Sequence, residues 1–251
     1  MKKDTKKIIK IIFSILIITT LFICIEETVN ILKIKKEEKQ VLENNKEMQE
    51  LLVSKDEPVE EEKEEEETET KDLSDLEYYR SYYNNNDIIG TLKIDGTNIY
   101  TLLPKTTNNK YYLSHSLSRR YDGYGSIFVD YRTDLSSKQI NIYGHNSNYT
   151  YYMFKELENY LNKDFYQNHK YIKLWNGTET ATYEIFSIQI ITDDYEHIVV
   201  NPSDPVEHIE KLKKSIYETG VDVNANDKLL ILQTCSYNPR NSFLIINSKK
   251  V

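Results

Sequence analysis

The run Leu229-Leu230-Ile231-Leu232-Gln233-Thr234-Cys235 is short and apolar, has the composition of a buried strand, and ends on a thiol. The turn-rich stretch that follows, Ser236-Tyr237-Asn238-Pro239-Arg240, carries a fixed positive charge. A second run, Gln139-Ile140-Asn141-Ile142-Tyr143, ends in the same way with Gly144-His145-Asn146. A thiol, an imidazole and a guanidinium therefore all fall just past strand ends, which makes Cys235 a candidate nucleophile.

Working outward, six further runs have the same character. With the two above, the predicted strands are 88–94, 99–103, 126–130, 139–143, 171–175, 181–192, 228–235 and 243–247. They are rich in Ile, Val, Tyr and Phe and are parted by Gly, Asn and Asp clusters. Eight such runs predict a mostly β domain, as a closed barrel or a sandwich. Three short helices are expected. One covers residues 73–83. A second covers 152–161, with Met153, Leu157 and Leu161 in line. In the third, Asp204 is the N-cap, Pro205 lies in the first turn, Glu207 completes a capping box, and Val206, Ile209, Leu212 and Ile216 form one face as far as Gly220. This last helix is an excursion out of the sheet of the kind that walls a binding groove.

The chain has 251 residues, enough for one domain of ordinary size with accessory segments, and its first part does not read as a folded core. Residues 8–25 form an apolar segment broken only by Lys10, roughly 27 Å of helix at about 1.5 Å per residue, which nearly spans a bilayer. Lys2, Lys3, Lys6, Lys7 and Lys10 precede or enter it and Glu26 and Glu27 follow, so the positive-inside bias places residues 1–7 in the cytoplasm and the rest outside the cell. No small-residue cleavage site follows Phe22-Ile23-Cys24-Ile25, and an uncleaved anchor is expected. Residues 28–53 read as a helical stalk. Residues 56–72 hold eleven acids and two lysines and read as an extended spacer, so that 26–72 separates the anchor from a catalytic domain at 73–251. The formal net charge of −8 is concentrated in that spacer. The remainder is near neutral and carries no basic stripe for nucleic acid. With Cys24 in the anchor, Cys235 has no disulfide partner in the exported domain, and an unpaired thiol there is either buried or used.

At this point the residues resemble a known family. Ile89-Gly90-Thr91-Leu92-Lys93-Ile94 with Gly96-Thr97-Asn98-Ile99, then Tyr111-Tyr112-Leu113-Ser114-His115, Gly125-Ser126-Ile127-Phe128-Val129-Asp130-Tyr131, Tyr143-Gly144-His145-Asn146 and Leu232-Gln233-Thr234-Cys235 are similar in order and spacing to a class B sortase. The likeness covers about residues 73–251, and the helix from Pro205 to Tyr217 fits the class B pattern. The resemblance implies an eight-stranded sortase-like β-barrel with short helices. It also implies a membrane-anchored transpeptidase that cleaves a sorting signal near the carboxyl end of secreted proteins and joins the product to a cell-wall amine or peptidoglycan precursor. No cofactor or metal is implied.

The chemistry of the residues agrees with that reading. Splitting amide cleavage through a thioester at Cys235 lowers each barrier, and nearby cations favour the attacking thiolate. His145 is expected to supply that charge and protonate the leaving amine, and Arg240 to stabilise the oxyanion or hold the substrate backbone. Gln233, Thr234 and Ser236, flanking the thiol, are the expected substrate contacts. Two departures from the family pattern stand out. The arginine usually lies further on, where this chain has Ser242 and Phe243, and Gln233 replaces the common serine.

The remaining candidates read as structural. His115 is expected to be hydrogen-bonded, and His169 and His208 to be solvated. Asp193, Asp194, Glu196 and His197 read as an acidic loop, and two tyrosine groups, Tyr111 with Tyr112 and Tyr149 with Tyr151 and Tyr152, as sheet surface and core edge. Two other functions stay open: a cysteine peptidase or amidase with water as acceptor, and an inactive membrane-tethered binding module. A papain-like order is excluded because the histidine precedes the cysteine.

Overall fold

The computed structural model of the protein describes residues 2–56, 75–147, 152–192 and 198–251. These fall into two compact units, residues 1–47 and 48–251. The acidic run from Glu57 to Asp72, the start of the helix expected at Leu73, the group Asp193, Asp194, Glu196 and His197, and Tyr149 and Tyr151 lie outside the described residues.

Helix α1 (Lys2–Asp56) contains the apolar segment of the first unit, and among the described residues it is the one helix long and apolar enough to cross a bilayer. Ile8, Phe13, Leu16, Phe22 and Ile25 are all more than half exposed, as expected of a helix without an apolar protein face around it. Threonine hydroxyls on it bond back to the preceding turn. Thr20 Oγ1 donates to the Leu16 carbonyl at 2.8 Å and Thr28 Oγ1 to that of Cys24 at 2.7 Å, which removes the penalty of placing them in lipid.

The second unit is built on one eight-stranded sheet. In chain order its strands are β1 (Ile88–Ile94), β2 (Tyr100–Pro104), β3 (Phe128–Val129), β4 (Gln139–Tyr143), β5 (Tyr171–Trp175), β6 (Thr180–Ile191), β7 (Leu229–Ser236) and β8 (Ser242–Lys250). The spatial order is β2-β1-β5-β6-β8-β7-β4-β3, and the edge strands β2 and β3 come together to make a nearly closed barrel. The expected strands are all present, with ends displaced by a residue or a few. Every described ladder is antiparallel except β4 with β7, which runs parallel with Ile142 opposite Leu232 and Tyr143 opposite Gln233.

Side-chain alternation then divides β7. Leu230 and Leu232 point into the barrel with Ile140 and Ile142 of β4 and Leu244 and Ile246 of β8, all fully or almost fully buried. Each such burial contributes roughly 1.5–3 kcal/mol. Leu229 and Ile231 point the other way, with Ile245 of β8, against Ile209 and Leu212 of helix α4 (Pro205–Leu212). By the same parity Gln233 and Cys235 share the face on which α4 packs.

Helix α2 (Asp75–Tyr83) precedes β1, and Tyr79 on it joins Met48, Leu52, Ile88 and Leu102 in a third apolar cluster. Residues upstream of 73 thus contribute to the core of the barrel unit. The other two expected helices are corrected by the structure. The segment 152–161 is not one α-helix: Met153 takes a φ of 56°, so the helix starts only after it. A 3-10 helix then runs Lys155–Leu161, burying Leu157 and Tyr160 and leaving Leu161 exposed, and α3 (Lys163–Asn168) follows from an Asn162 cap. Helix α4 begins at the expected Asp204 cap, whose side chain accepts from the amides of Val206 and Glu207, but it ends at Leu212 rather than near Gly220. The chain beyond is captured by β6: Ile216 N donates to the Ile188 carbonyl at 2.8 Å, and Ser215 Oγ accepts from Ile188 N at 3.0 Å. Val206 and Ile216, expected on the apolar face, are exposed.

Candidate active site

Strand β7 delivers Cys235 to the rim of the sheet, where its residue surface is exposed. Strand β4 delivers His145 two residues past the last ladder pair, Tyr143 with Gln233. The two ends are clamped together. Gly144 N donates to the Gln233 carbonyl at 3.2 Å, and buried Thr234 Oγ1 donates to the Gly144 carbonyl at 2.8 Å. Gly144 is required at this crossing, because a Cβ there would lie 2.8 Å from the Phe154 ring and 3.0 Å from Ile127.

His145 is held from the side opposite its backbone. Its Nε2 lies 2.8 Å from the Leu113 carbonyl. A carbonyl only accepts, so Nε2 carries a proton and Nδ1 is the ring nitrogen left for proton exchange. No hydrogen bond links the ring to the Cys235 thiol among the described residues. Burial pushes the Cys235 thiol above its ordinary value, and no charged neighbour offsets this.

The other expected site residues separate. Gln233 is half-buried on the face shared with Cys235. Thr234 and Ser236 are buried and alternate to the opposite face, Thr234 bonding Gly144 and Ser236 Oγ bonding the Asn238 carbonyl at 3.3 Å. Arg240 lies exposed in the β7–β8 turn and has no ion pair or side-chain hydrogen bond among the described residues. The β8 residue directly across from Cys235 is Phe243, and Ser242 is across from Ser236.

Several contributors were not read from the sequence. Asn146 Nδ2 donates to the Cys235 carbonyl at 2.9 Å, and the Tyr237 hydroxyl donates to the Asn146 carbonyl at 2.8 Å. Below them a polar network holds the chain that leads into α4. Arg132 grips fully buried Asp130 through two bonds of 3.0 and 2.6 Å and donates to the Ile198 carbonyl at 2.9 Å. Burial alone would raise the Asp130 carboxyl, but the Arg132 guanidinium and the Tyr143 hydroxyl, 2.7 Å away, bring it below the ordinary carboxylate value. Gln139 Nε2 donates to the Val199 carbonyl at 2.9 Å, while its Oε1 meets Nε2 of His208 at 2.8 Å. His208 is thus buried, not solvated as expected, because its helix turns it onto this network. His169 is also only partly exposed, stacked on Phe165 with ring centroids 4.3 Å apart. His115 takes the expected hydrogen-bonded role, with Nδ1 2.8 Å from the Tyr111 carbonyl and its ring stacked on Tyr111.

A family profile described as a sortase domain matches residues 92–251. Sortase B of Listeria monocytogenes is 33% identical over 157 residues, covering 60% of this chain and 63% of that protein, so the match spans just under two thirds of the relative. Sortase B of Staphylococcus aureus is 31% identical over 174 residues, covering 66% of this chain and 70% of that protein. Among solved structures, that of Clostridium perfringens sortase B superposes with a TM-score of 0.65 at 28% identity, covering 70% of this chain and 98% of the other. The matched region includes both strand ends that carry Cys235 and His145, and on these grounds the chain belongs to the sortase family, with class B members as its relatives in sequence and in fold.

Proposed function

We propose that this chain is a membrane-anchored cysteine transpeptidase that cleaves a C-terminal sorting signal of secreted proteins and transfers the new carboxyl end to a cell-wall amine. The observation that carries the proposal is the convergence of Cys235 and His145 at the ends of the parallel pair β4 and β7. In the first half-reaction the Cys235 proton passes to His145 Nδ1 and the sulfur attacks the scissile carbonyl. The C–N bond breaks, the imidazolium protonates the leaving amine, and a thioester remains on Cys235. In the second, the acceptor amine attacks that thioester, its proton passes to His145, and the C–S bond breaks to return the thiol. Arg240 is assigned the charge of the tetrahedral oxyanion, reached from the β7–β8 turn. Gln233, beside the thiol on its own face, contacts the extended signal. Thr234 and Ser236 support the strand behind it.

The lysine-rich start of α1 favours a cytoplasmic amino terminus, with the chain crossing at 8–25 and the barrel unit, which Met48 and Leu52 help to pack, outside the cell. The decisive measurement is cleavage of a sorting-signal peptide library by the full chain in detergent, with and without an added amine, read by product mass. The expected result is an amine adduct that disappears in Cys235→Ala. Hydrolysis alone, unaffected by amine, would make the protein a peptidase.

A further inference from the structure

We infer that Asn146 is a positioning residue for the transfer reaction, oriented by Glu158, which sets the nucleophile against its base by completing the β4–β7 ladder with a side chain. The inference rests on the assignment of Cys235 and His145 as the reacting pair. In a parallel ladder, alternate carbonyls of one strand face the same neighbour. Gln233 O is taken by the backbone amide of Gly144. The next carbonyl on that edge is Cys235 O, and it is taken at 2.9 Å by the side-chain amide of Asn146. The ladder therefore gains one rung past the last backbone pair, at the residue that carries the thiol. The same asparagine directly follows His145, so one side chain ties the backbone of the nucleophile to the backbone of the base.

Its orientation is fixed by a second acceptor. Asn146 Nδ2 also donates to Glu158 Oε1 at 2.6 Å, and Glu158 Oε2 is held by Lys155 Nζ at 2.7 Å on the same 3-10 helix, which Leu157 and Tyr160 root in the core. Two acceptors on one side determine that nitrogen, not oxygen, faces Cys235. The Tyr237 hydroxyl grips the Asn146 carbonyl from the β7–β8 turn. Asn146 is 6% exposed, and its Oδ1 is buried with no partner among the described residues.

The test compares Asn146→Ala, Glu158→Ala and Glu158→Gln in the full chain, with kcat, KM, the pH profile of Cys235 alkylation and thermal unfolding measured for each. A sub-ångström loosening of the reacting pair lowers kcat by about 10–100-fold in Asn146→Ala and Glu158→Ala, with KM within about twofold. The pH midpoint of alkylation moves in both. Glu158→Gln keeps an oxygen acceptor for the amide and stays within about twofold of the parent in kcat. The inference is overturned if Asn146→Ala keeps its kcat, or if Glu158→Gln falls as far as Glu158→Ala, since then charge rather than amide orientation is what Glu158 supplies. Should Asn146→Ala fail to fold, the two Glu158 variants decide alone. Cleavage persisting in Cys235→Ala would instead remove the underlying site assignment, a separate failure.

Discussion

Cys235 and Phe243 face each other directly across the β7–β8 ladder, so the residue opposite the candidate nucleophile on the last strand carries an aromatic ring and no charge. The only arginine of this turn, Arg240, sits three residues earlier and is exposed. Any guanidinium that reaches the reacting carbonyl from here does so from the turn, not from the strand.

That assignment sets the first expectation. Arg240→Ala lowers kcat/KM on a sorting-signal peptide by about 10²–10³-fold if its donors meet the oxyanion. Thermal stability is unchanged, because the side chain is exposed. Steady-state kinetics check it, and unchanged turnover would move the charge to backbone amides.

The thiol gives a pH dependence. Burial raises the Cys235 thiol, so the protonated form persists through neutral pH and the thiolate accumulates only above the ordinary thiol value of about 8.5. Alkylation of the free enzyme by iodoacetamide is expected to be slow at pH 7 and to rise through a midpoint on the alkaline side of that value. A midpoint below it would show that His145 or Arg240 already polarises the thiol in solution.

Gly144→Ala is expected to destabilise the barrel by about 1–3 kcal/mol, because the new methyl meets the buried Phe154 ring. The same shift displaces His145, the next residue, so activity falls further than stability. Calorimetry and turnover measured on one preparation separate the two effects.

Asp130 supplies an acid-side expectation. Its carboxyl is held below the ordinary value, so its contribution to stability is complete above about pH 4 and is lost as pH falls through the lowered folded value. Asp130→Asn removes this acid-linked loss and costs about 2–4 kcal/mol at neutral pH, since Arg132 keeps its charge without its partner. Denaturant titrations at pH 7 and pH 3 read both.

Most of the sheet was legible because its strands are short runs of β-branched and aromatic residues broken by polar turns, and periodicity reports such elements directly. Ile88–Ile94, Gln139–Tyr143 and Tyr171–Trp175 were read to the residue. The helices were less legible where backbone bonding outside the helix decides their length. Nothing in residues 213–217 marks the capture of Ile216 by Ile188, a contact made across the fold. Cys235 and His145 were visible as residue types at strand ends. Asn146 stood in the quoted Gly-His-Asn motif, yet its role rests on a carbonyl 89 residues away and on Glu158. The burial of His208 was hidden for the same reason: a lone histidine on an amphipathic helix does not announce the glutamine it will meet.

The sole parallel pairing among the described ladders has a consequence for the life of the chain before it reaches its final form. Everything between β4 and β7, including β5, β6, α3 and α4, must be laid down before sulfur and imidazole become neighbours. Pairings this distant along a polypeptide are among the slowest to form, since the entropy of closing the loop is lost before any contact rewards it. On the proposed topology and activity, a chain still being threaded across a bilayer carries a cysteine with no base beside it, and acyl transfer becomes possible only when the β-cylinder is whole.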